Sequence, residues 1–230
     1  TTMFFSFKII KIKESHLDTK LQAMNIIDYQ KERINDIENA NNILVNHTNS
    51  ILEEQDEQNR ELELLRKRKE LYDKYEYILI DSNNNRTDLT YNELQFGIDQ
   101  MNKRNINPHL LFGVVHLESK GKRNASNSTS SARGYCQFIK GTAKWIYEVK
   151  LNKGTYNHDK AFDGYVNLEM GAEYIQYLMN KNNGSILNTL LDYNGRELGE
   201  KYYNIVNNTL TKYTNTNLKK IEQEYKTAKL

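Results

Sequence analysis

The sequence predicts a mainly α-helical protein in which a long helical arm, residues 1–80, precedes a helical domain over residues 107–212. The first observation is the scarcity of helix breakers, since the 230 residues include one proline and 11 glycines. The second is that residues 13–77 contain neither proline nor glycine, which is typical of long helices. The third is that apolar residues recur at helical spacing in both halves.

Composition and charge exclude several classes of protein. Hydrophobic residues make up 38% of the chain and charged residues 27%, which fits a folded protein rather than a disordered one. The net charge of +2 gives no overall argument for a nucleic-acid partner, and none is expected. Cys136 is the single cysteine and the histidines show no ligand spacing, so we expect no internal disulfide, no metal site and no cofactor. No run of about 18 apolar residues predicts a membrane span.

The arm carries a heptad pattern with two seams of unequal polarity. Two arrangements remain open: a coiled coil between copies of the chain, which predicts a homo-oligomer or larger assembly, and an intramolecular helical hairpin packed on the second domain. Polar residues at core positions would cost stability and set the register. The mostly apolar seam consists of Ile37, Leu44, Ile51, Gln58, Leu65 and Tyr72, and the half-polar seam of Ile27, Ile34, Asn41, Thr48, Gln55 and Leu62.

The segment between the two halves is expected to hold a linker and one short helix, over residues 81–106. Ser82 to Asn85 is a run of polar residues typical of a loop. Thr90 and Glu93 have the spacing of a capping box, which predicts a helix that begins after Thr90 and ends near residue 104.

The second half has clear helix boundaries. Asn107-Pro108 predicts a helix start, because proline is favoured at the first helical position. A final charged helix is expected within the C-terminal segment, residues 213–230. The helices of this half are expected at about 108–119, 141–150, 164–181, 185–193, 199–210 and 216–228.

One acidic residue stands out in the first of these helices. Leu111, Val114, Val115 and Glu118 share a helical face, so Glu118 ends an apolar stripe where a carboxylate is normally absent. Burial without a paired charge raises the pKa of a carboxyl group, as a general acid requires. The alternative is that Glu118 pairs with a base such as Lys122 at the end of the helix.

The segment after Glu118 is strongly basic. No Asp or Glu lies between Ser119 and Tyr147, which predicts a surface that attracts an anionic polymer. An ordinary solvated loop, or a surface for nucleic acid as another polyanion, remains open at this point. The basic residues are Lys120, Lys122, Arg123, Arg133, Lys140 and Lys144.

Several short motifs follow one another in a fixed order. In this order and spacing they resemble the soluble lytic transglycosylase family, which shares its core with goose-type lysozyme. The resemblance covers residues 107–210 and implies a lysozyme-like helical domain that cleaves the glycan strands of bacterial peptidoglycan. The motifs are Glu118-Ser119, the run from Ser131 to Phe138, Gly141-Thr142-Ala143, then Asn167-Leu168 with Gly171 and Tyr174-Ile175, and finally Tyr193-Asn194-Gly195.

The resemblance also implies roles for individual residues. Glu118 matches the catalytic acid/base, Ser128 a serine that positions the N-acetyl group of the substrate, and Gly134 a glycine that lets the backbone pass close to the cleft. Tyr135-Cys136 replaces the family's usual Leu-Met pair, and we interpret Cys136 as a small buried hydrophobe. The residues expected to bind substrate are Ser128, Gly134, Tyr135, Gln137, Phe138, Tyr193 and Asn194.

The expected reaction follows from the number of carboxylates. Ordinary glycosidases use two, and goose-type hydrolases place aspartates soon after the acid, whereas this chain has no further acid before Glu148. A lytic transglycosylase, which forms a 1,6-anhydro product without consuming water, is therefore favoured over a hydrolytic muramidase. An inactive glycan-binding structural protein and a coiled-coil assembly factor that contacts nucleic acid are the other classes considered.

The cellular setting follows from the architecture. A helical arm that carries a wall-cutting domain predicts an extracytoplasmic location at the bacterial cell wall. Two settings remain open for it: a bacteriophage tail component in the virion, and a conjugation or secretion apparatus.

Overall fold

The computed structural model describes residues 2–80 and 84–229, and in them helices account for nearly all regular structure. The chain divides into two compact units, residues 1–66 and 67–230. The second unit begins earlier than the boundary at 80 drawn from the sequence, because Tyr75, Ile78 and Leu79 are buried in its core. Of the expected loop at Ser82 to Asn85, residues 82 and 83 lie outside the described part.

The first unit lies on the long helix α1, Thr2–Leu79. From Lys13 to Arg66 every described side chain is exposed, including the apolar seam residues from Ile27 to Leu65. The one residue with non-helical backbone angles is Tyr75, close to the end of the helix. The helix therefore runs without a reversal through residues 13–70, and the hairpin arrangement is wrong.

The second unit continues with seven further α-helices in its described residues. Several boundaries match the sequence expectation closely: α5 spans Gly164–Lys181, and α3 begins directly after Asn107-Pro108, with the Asn107 side chain accepting a hydrogen bond from the His109 N–H. The helices are α2 (Tyr91–Asn102), α3 (His109–Ser119), α4 (Lys140–Trp145), α5, α6 (Ile186–Tyr193), α7 (Glu200–Tyr213) and α8 (Leu218–Thr227).

Two short helical segments complete the unit. A π-helical turn at Ile146–Lys150 extends α4, so the expected helix at 141–150 changes its hydrogen-bonding pattern halfway. A 3₁₀ turn at His158–Phe162, which the sequence did not predict, leads into α5.

Helix α2 is part of the core rather than a linker. The Thr90–Glu93 capping box forms as expected, with the side chain of each residue bonded to the backbone of the other. Leu94 and Met101 of this helix are fully buried, because α2 packs along α5.

Helix α3 lies at the centre of the second unit. Its residues 110–115 are all fully buried or glycine, and it packs against α5 and α7. A Cβ at Gly113 would lie 2.9 Å from the Val206 side chain of α7, so glycine permits this close approach. The packing brings the C-terminal end of α3 beside the N-terminal half of α7.

Candidate active site

Glu118 lies in the last turn of α3, at the end of the stripe formed by Leu111, Val114 and Val115. Those three side chains are fully buried, whereas Glu118 is half-buried. Burial raises the pKa of Glu118 above its ordinary value, although a hydrogen bond from Tyr202 works in the opposite direction. Among the described residues no cation forms an ion pair with Glu118, so the alternative pairing with Lys122 is wrong.

Tyr202 of α7 is the one hydrogen-bond partner of Glu118 in the described part of the chain. Its hydroxyl donates to Oε1 of Glu118 at 2.5 Å, and its ring is 1% exposed. Burial, and then the negative charge of Glu118, raise the pKa of Tyr202 well above its ordinary value, so the hydroxyl keeps its proton at any physiological pH.

Sequence reasoning missed Tyr202. The available signal was its spacing with Val206 and Leu210, which places all three on one face of α7. That pattern indicates burial of a tyrosine, but not which group its hydroxyl meets.

Tyr193, which the resemblance assigned to the cleft, lies beside this pair. Its ring stacks on that of Tyr202 at a centroid distance of 6.4 Å, and its hydroxyl donates to the Cys136 carbonyl oxygen at 3.0 Å. Burial is the main cause that raises the pKa of Tyr193 well above its ordinary value, and the nearby Glu118 contributes. The structure therefore brings Glu118, Tyr202, Tyr193 and Cys136 together.

Cys136 is inert in these surroundings. The side chain is fully buried, and burial raises the pKa of its thiol far above the ordinary value. The neutral thiol packs as a small apolar group, in agreement with the sequence interpretation.

Gln137 holds the turn next to Cys136 rather than pointing freely into solvent. Its Nε2 donates to the carbonyl oxygens of Ala125 at 3.0 Å and Gly134 at 2.9 Å. The backbone of Gln137 has a positive φ of 48°, which the side-chain bonds help to hold. Its role in substrate binding stays a prediction.

Gly134 permits a close contact inside the second unit. With φ at +79°, a Cβ there would lie 2.1 Å from the Ala161 carbonyl oxygen and 2.2 Å from Nδ2 of Asn167. Asn167 is fully buried and accepts a hydrogen bond from the Cys136 N–H at 2.8 Å. The expectation that Gly134 lets the backbone pass close to the cleft stays a prediction.

Tyr135 is not a member of the cleft, and its assignment as a substrate-binding residue is wrong. The side chain is fully buried, and its hydroxyl donates to the Asp88 carbonyl oxygen at 2.9 Å and to Glu93 at 3.2 Å. Nε of Arg123 donates to the same hydroxyl at 3.3 Å. A tyrosine held in this way has no face available for a sugar.

Phe138 is also buried and packs against the aromatic residues beside the site. It is 3% exposed, and its ring contacts those of Tyr174 at 5.7 Å and Tyr193 at 6.0 Å. Direct contact between Phe138 and a substrate is excluded by this burial, so the expectation is corrected to a packing role behind Tyr193.

The contacts of Ser128 and Asn194 do not test their assignment as substrate-binding residues. Ser128 is exposed, in a loop turned by Asn127, whose side chain accepts hydrogen bonds from Thr129. Asn194 is half-buried, and its Oδ1 accepts from the Leu198 N–H at 2.8 Å. Both assignments stay predictions.

The basic segment after Glu118 is less positive than its sequence suggests. Arg123 pairs with Glu93, Arg133 with Asp159, and Lys144 lies 3.9 Å from Glu148. Three of the six cations therefore have acidic partners from outside the segment, which reduces its net positive charge.

Within the described residues, no group of three or more His, Cys, Asp or Glu side chains is arranged to hold a metal ion. Nor does the described part contain a helix both long and apolar enough to span a bilayer.

Comparison with known proteins identifies the second unit. A family model described as Transglycosylase SLT domain matches residues 96–219, which is more than half of the chain. A search of curated protein sequences gave no match.

Solved structures with a similar fold include three of lytic transglycosylases, each 16% identical in sequence. The match to an inactive mutant of lytic transglycosylase Slt from Pseudomonas aeruginosa covers 57% of this chain and 22% of that protein, with a TM-score of 0.42. The match to the 70 kDa soluble lytic transglycosylase from Escherichia coli covers 61% of this chain and 23% of that protein, with a TM-score of 0.44. The match to a 70 kDa soluble lytic transglycosylase in complex with bulgecin A covers 62% of this chain and 25% of that protein, with a TM-score of 0.44. The chain thus spans about a quarter of the length of these proteins.

Proposed function

The chain belongs to the family of transglycosylase SLT domains, and we propose that it is a peptidoglycan lytic transglycosylase with Glu118 as its general acid and base. The observation that carries this proposal is the environment of Glu118. The carboxyl group is half-buried at the end of an apolar stripe, has no cation beside it among the described residues, and has a raised pKa. A carboxyl group whose pKa is raised by burial is suited to give a proton to a substrate and to take one back.

The hydrogen bond from Tyr202 supports a division of roles between the two oxygens of Glu118. Because the Tyr202 hydroxyl donates to Oε1, the proposal assigns the acidic proton to Oε2. Oε2 has no hydrogen-bond partner in the described residues. One oxygen is therefore held in place and the other is available for the glycosidic oxygen.

The other candidate carboxylates are engaged in hydrogen bonds or ion pairs, which supports a mechanism with one acid. Glu148 accepts a hydrogen bond from the Tyr156 N–H, Asp159 pairs with Arg133, and Asp163 caps α5. These are the acids that the sequence left as candidates for a second catalytic group. Each has a structural partner, which favours transglycosylation over hydrolysis.

The proposed reaction has two steps. Glu118 transfers its proton to the glycosidic oxygen while the bond from that oxygen to C1 breaks, and the carbonyl oxygen of the substrate's own N-acetyl group bonds to C1. The Glu118 carboxylate then takes the proton of the 6-hydroxyl group, O6 bonds to C1, and the bond from the acetamido oxygen to C1 breaks. The product is a 1,6-anhydro-muramyl end, Glu118 regains its proton, and no water is consumed.

Mass spectrometry of digested peptidoglycan tests this proposal. We expect muropeptides with anhydro ends, which are lighter than reducing ends by one water. Reducing ends alone would establish a hydrolytic muramidase instead. A zymogram on bacterial cell walls tests the third class. If neither the wild type nor Glu118→Gln clears the walls, but both bind glycan, the protein is an inactive glycan-binding protein.

For the first unit we propose self-association into a parallel coiled coil, which makes the enzyme a homo-oligomer. The support is that the apolar seam residues from Ile27 to Leu65 are exposed along one continuous helix. In a parallel, in-register pair, the positions flanking the seams would place Arg33 of one copy beside Glu38 of the other, and Glu61 beside Arg66. These contacts are attractive, whereas an ordinary solvated helix would need no such pattern.

Sedimentation of the full chain tests the self-association. Leu44→Lys combined with Ile51→Lys places charges in the apolar seam, and we expect it to convert an oligomer to a monomer. Asn46→Lys, on the opposite side of the helix, is the matched control and is expected to remain oligomeric. A monomeric wild type would contradict the proposal.

We also propose that the chain acts outside the cytoplasm, at the cell wall, as part of an apparatus that opens peptidoglycan locally. The support is the combination of a wall-cutting family with a long exposed helix suited to assembly. A bacteriophage tail and a conjugation or secretion apparatus are the two settings it fits. Proteomic analysis of purified virions separates them, since only the first predicts that the chain is found there.

A further inference from the structure

The middle of the arm has a wider apolar face than a two-stranded coiled coil buries. Residues of an α-helix are about 100° apart around its axis, so the two heptad seams together cover an arc of about 60°. The residues that directly follow the mostly apolar seam, here called the following flank, widen this arc to about 100°. In the middle of α1 the following flank consists of Val45 and Leu52, which are 56% and 53% exposed, so packing within the chain does not explain them.

One polar residue, Thr48, lies in the centre of this face. The pair Leu44 and Val45 lies on one side of it along the helix, and the pair Ile51 and Leu52 lies on the other. The Thr48 hydroxyl donates to the Leu44 carbonyl oxygen of the same helix at 2.8 Å. Because this hydrogen bond satisfies the hydroxyl, Thr48 needs no polar partner from another chain and its methyl group can be buried. The face is therefore suited to burial over residues 44–52.

The two flanks of the seams change character along the arm. The preceding flank consists of the residues directly before the half-polar seam. In the middle of the arm neither flank contains an Asp, Glu, Lys or Arg, whereas towards both ends the flanks carry charges that attract each other in a parallel assembly. The middle is therefore suited to deeper burial than the ends. The middle positions are Ala40, Val45, His47 and Leu52, and the charged positions are Arg33, Glu38, Glu61 and Arg66.

Three is the number of helices that best fits this pattern. A pair of helices buries the two seams and leaves Val45 and Leu52 largely in water, whereas each added helix turns more of every helix surface towards the common axis. Isoleucine in both seams, as at Ile34 and Ile37, also shifts the preference from two strands to more. Four helices would bury charged residues at the ends of both flanks, such as Arg33, and removing these charges from water is costly.

We propose that the arm assembles as a parallel bundle of three copies of this chain, in which Val45 and Leu52 of each helix pack against a neighbouring helix. This inference rests on the self-association proposed above and specifies its number. In the bundle the Asn41 side chains of the three helices lie at one level, where they can hydrogen-bond to one another and set the register. Each particle then carries three copies of Glu118.

Sedimentation equilibrium of the full chain, over a series of loading concentrations, measures the number of chains. We expect the mass at the upper plateau to be three times the 27.1 kDa of the single chain. A mass of two or of four chains would overturn this inference and leave the proposed self-association intact. A single chain at every concentration would remove the self-association, and this inference with it.

Val45→Glu combined with Leu52→Glu tests whether the following flank holds the third chain. We expect the mass to fall from three chains to two, because a pair still buries both seams while these two positions return to water. Ile43→Glu combined with Leu64→Glu is the matched control, since it adds the same two charges in place of two apolar residues that lie off the face and are 70% and 50% exposed. The control is expected to keep the mass of three chains.

Circular dichroism of both double variants separates a change in assembly from a loss of helix. Glutamate is a good helix former, so the helix content of each variant should equal that of the wild type. With helix content unchanged, a mass of three chains for the Val45 and Leu52 variant would overturn the inference, because the following flank would then hold no third chain. A fall of this variant to single chains would also contradict it, because the two positions would then hold every contact between chains.

Discussion

Two carboxylates of the second unit each meet a tyrosine hydroxyl, yet they have different chemistry. Glu93 is 2% exposed and accepts hydrogen bonds from the Thr90 N–H at 2.9 Å, from the Tyr135 hydroxyl at 3.2 Å and from Arg123 at 2.8 Å. Glu118 is less buried, and its one partner in the described chain is the Tyr202 hydroxyl at 2.5 Å.

The difference shows that depth of burial alone does not make a catalytic acid. Glu93 is the more buried of the two, but the guanidinium of Arg123 lies 2.8 Å from it and compensates its negative charge. Glu118 has only a neutral donor, so burial is not offset by an opposite charge and its pKa is raised. The charge of the partner therefore distinguishes the two carboxyl groups more than their depth of burial does.

Substitution of each carboxyl group by its amide tests this comparison most strongly. Glu118→Gln removes the transferable proton, and we expect turnover of peptidoglycan to fall by about 10² to 10⁴, the usual contribution of general acid catalysis. Glu93→Gln is expected to keep most of its turnover per folded molecule, because Glu93 gives its proton to no substrate. Turnover is measured as muropeptide release, with circular dichroism to correct for the folded fraction. An equal loss in both variants would mean that the two carboxyl groups do not differ in the way described.

The next largest effect is expected from removal of the charge that compensates Glu93. Arg123→Met leaves a buried carboxylate without its cation, which typically costs about 3–5 kcal/mol of unfolding free energy. Urea denaturation measures the loss, and Arg60→Met on the exposed part of α1 should change stability by no more than about 0.5 kcal/mol. A variant as stable as the wild type would show that Arg123 contributes little to holding Glu93.

The parts of this comparison that the sequence predicted are local. Thr90 and Glu93 lie three residues apart, so their capping box is visible in the sequence and is confirmed by the structure. The stripe that ends at Glu118 is likewise a property of one helix, and its burial follows from residue spacing. The lack of breakers likewise predicted long helix in the arm, although it left open a hairpin that the structure does not form.

The parts that the sequence did not predict depend on contacts between distant segments. Tyr135 looked like a cleft residue because its neighbours match a family motif, but its hydroxyl is bound by Arg123 and Glu93, which reach it from other elements. Tyr202 reaches Glu118 across the α3–α7 contact, and its spacing with Val206 and Leu210 indicates its burial but not the group that its hydroxyl meets. The assignments of Ser128 and Asn194 remain predictions.

Removal of the Tyr202 hydroxyl tests how a neutral donor sets the pKa of Glu118, through the pH dependence of kcat/KM. Tyr202→Phe eliminates a donor that stabilises the carboxylate, so the pKa of Glu118 should rise further. A general acid is active below its pKa, and the fall of kcat/KM on the alkaline side should therefore move to higher pH. Loss of orientation should also lower kcat roughly tenfold.

Tyr203→Phe is the matched control, because Tyr203 is the adjacent half-buried tyrosine and has no contact with Glu118 among the described residues. Its pH profile should coincide with that of the wild type. A shift of the Tyr202→Phe profile to lower pH would mean that the hydroxyl stabilises the protonated acid instead.

The smallest expected effect is a gain in stability when the catalytic carboxyl group is replaced. The pKa of Glu118 is higher in the folded protein than the ordinary value of 4.5, so folding holds the carboxylate in less favourable surroundings than unfolded chain does. The resulting penalty is absent below the unfolded pKa and fully present above the folded one. Glu118→Gln should therefore raise the melting temperature at neutral pH, by roughly 2–4 °C for each kcal/mol regained, and should match the wild type below about pH 4. The exposed Glu197→Gln should show neither effect. A gain in melting temperature of equal size at both pH values would come from packing of the amide. It would contradict the prediction that the ionised carboxylate of Glu118 destabilises the folded protein.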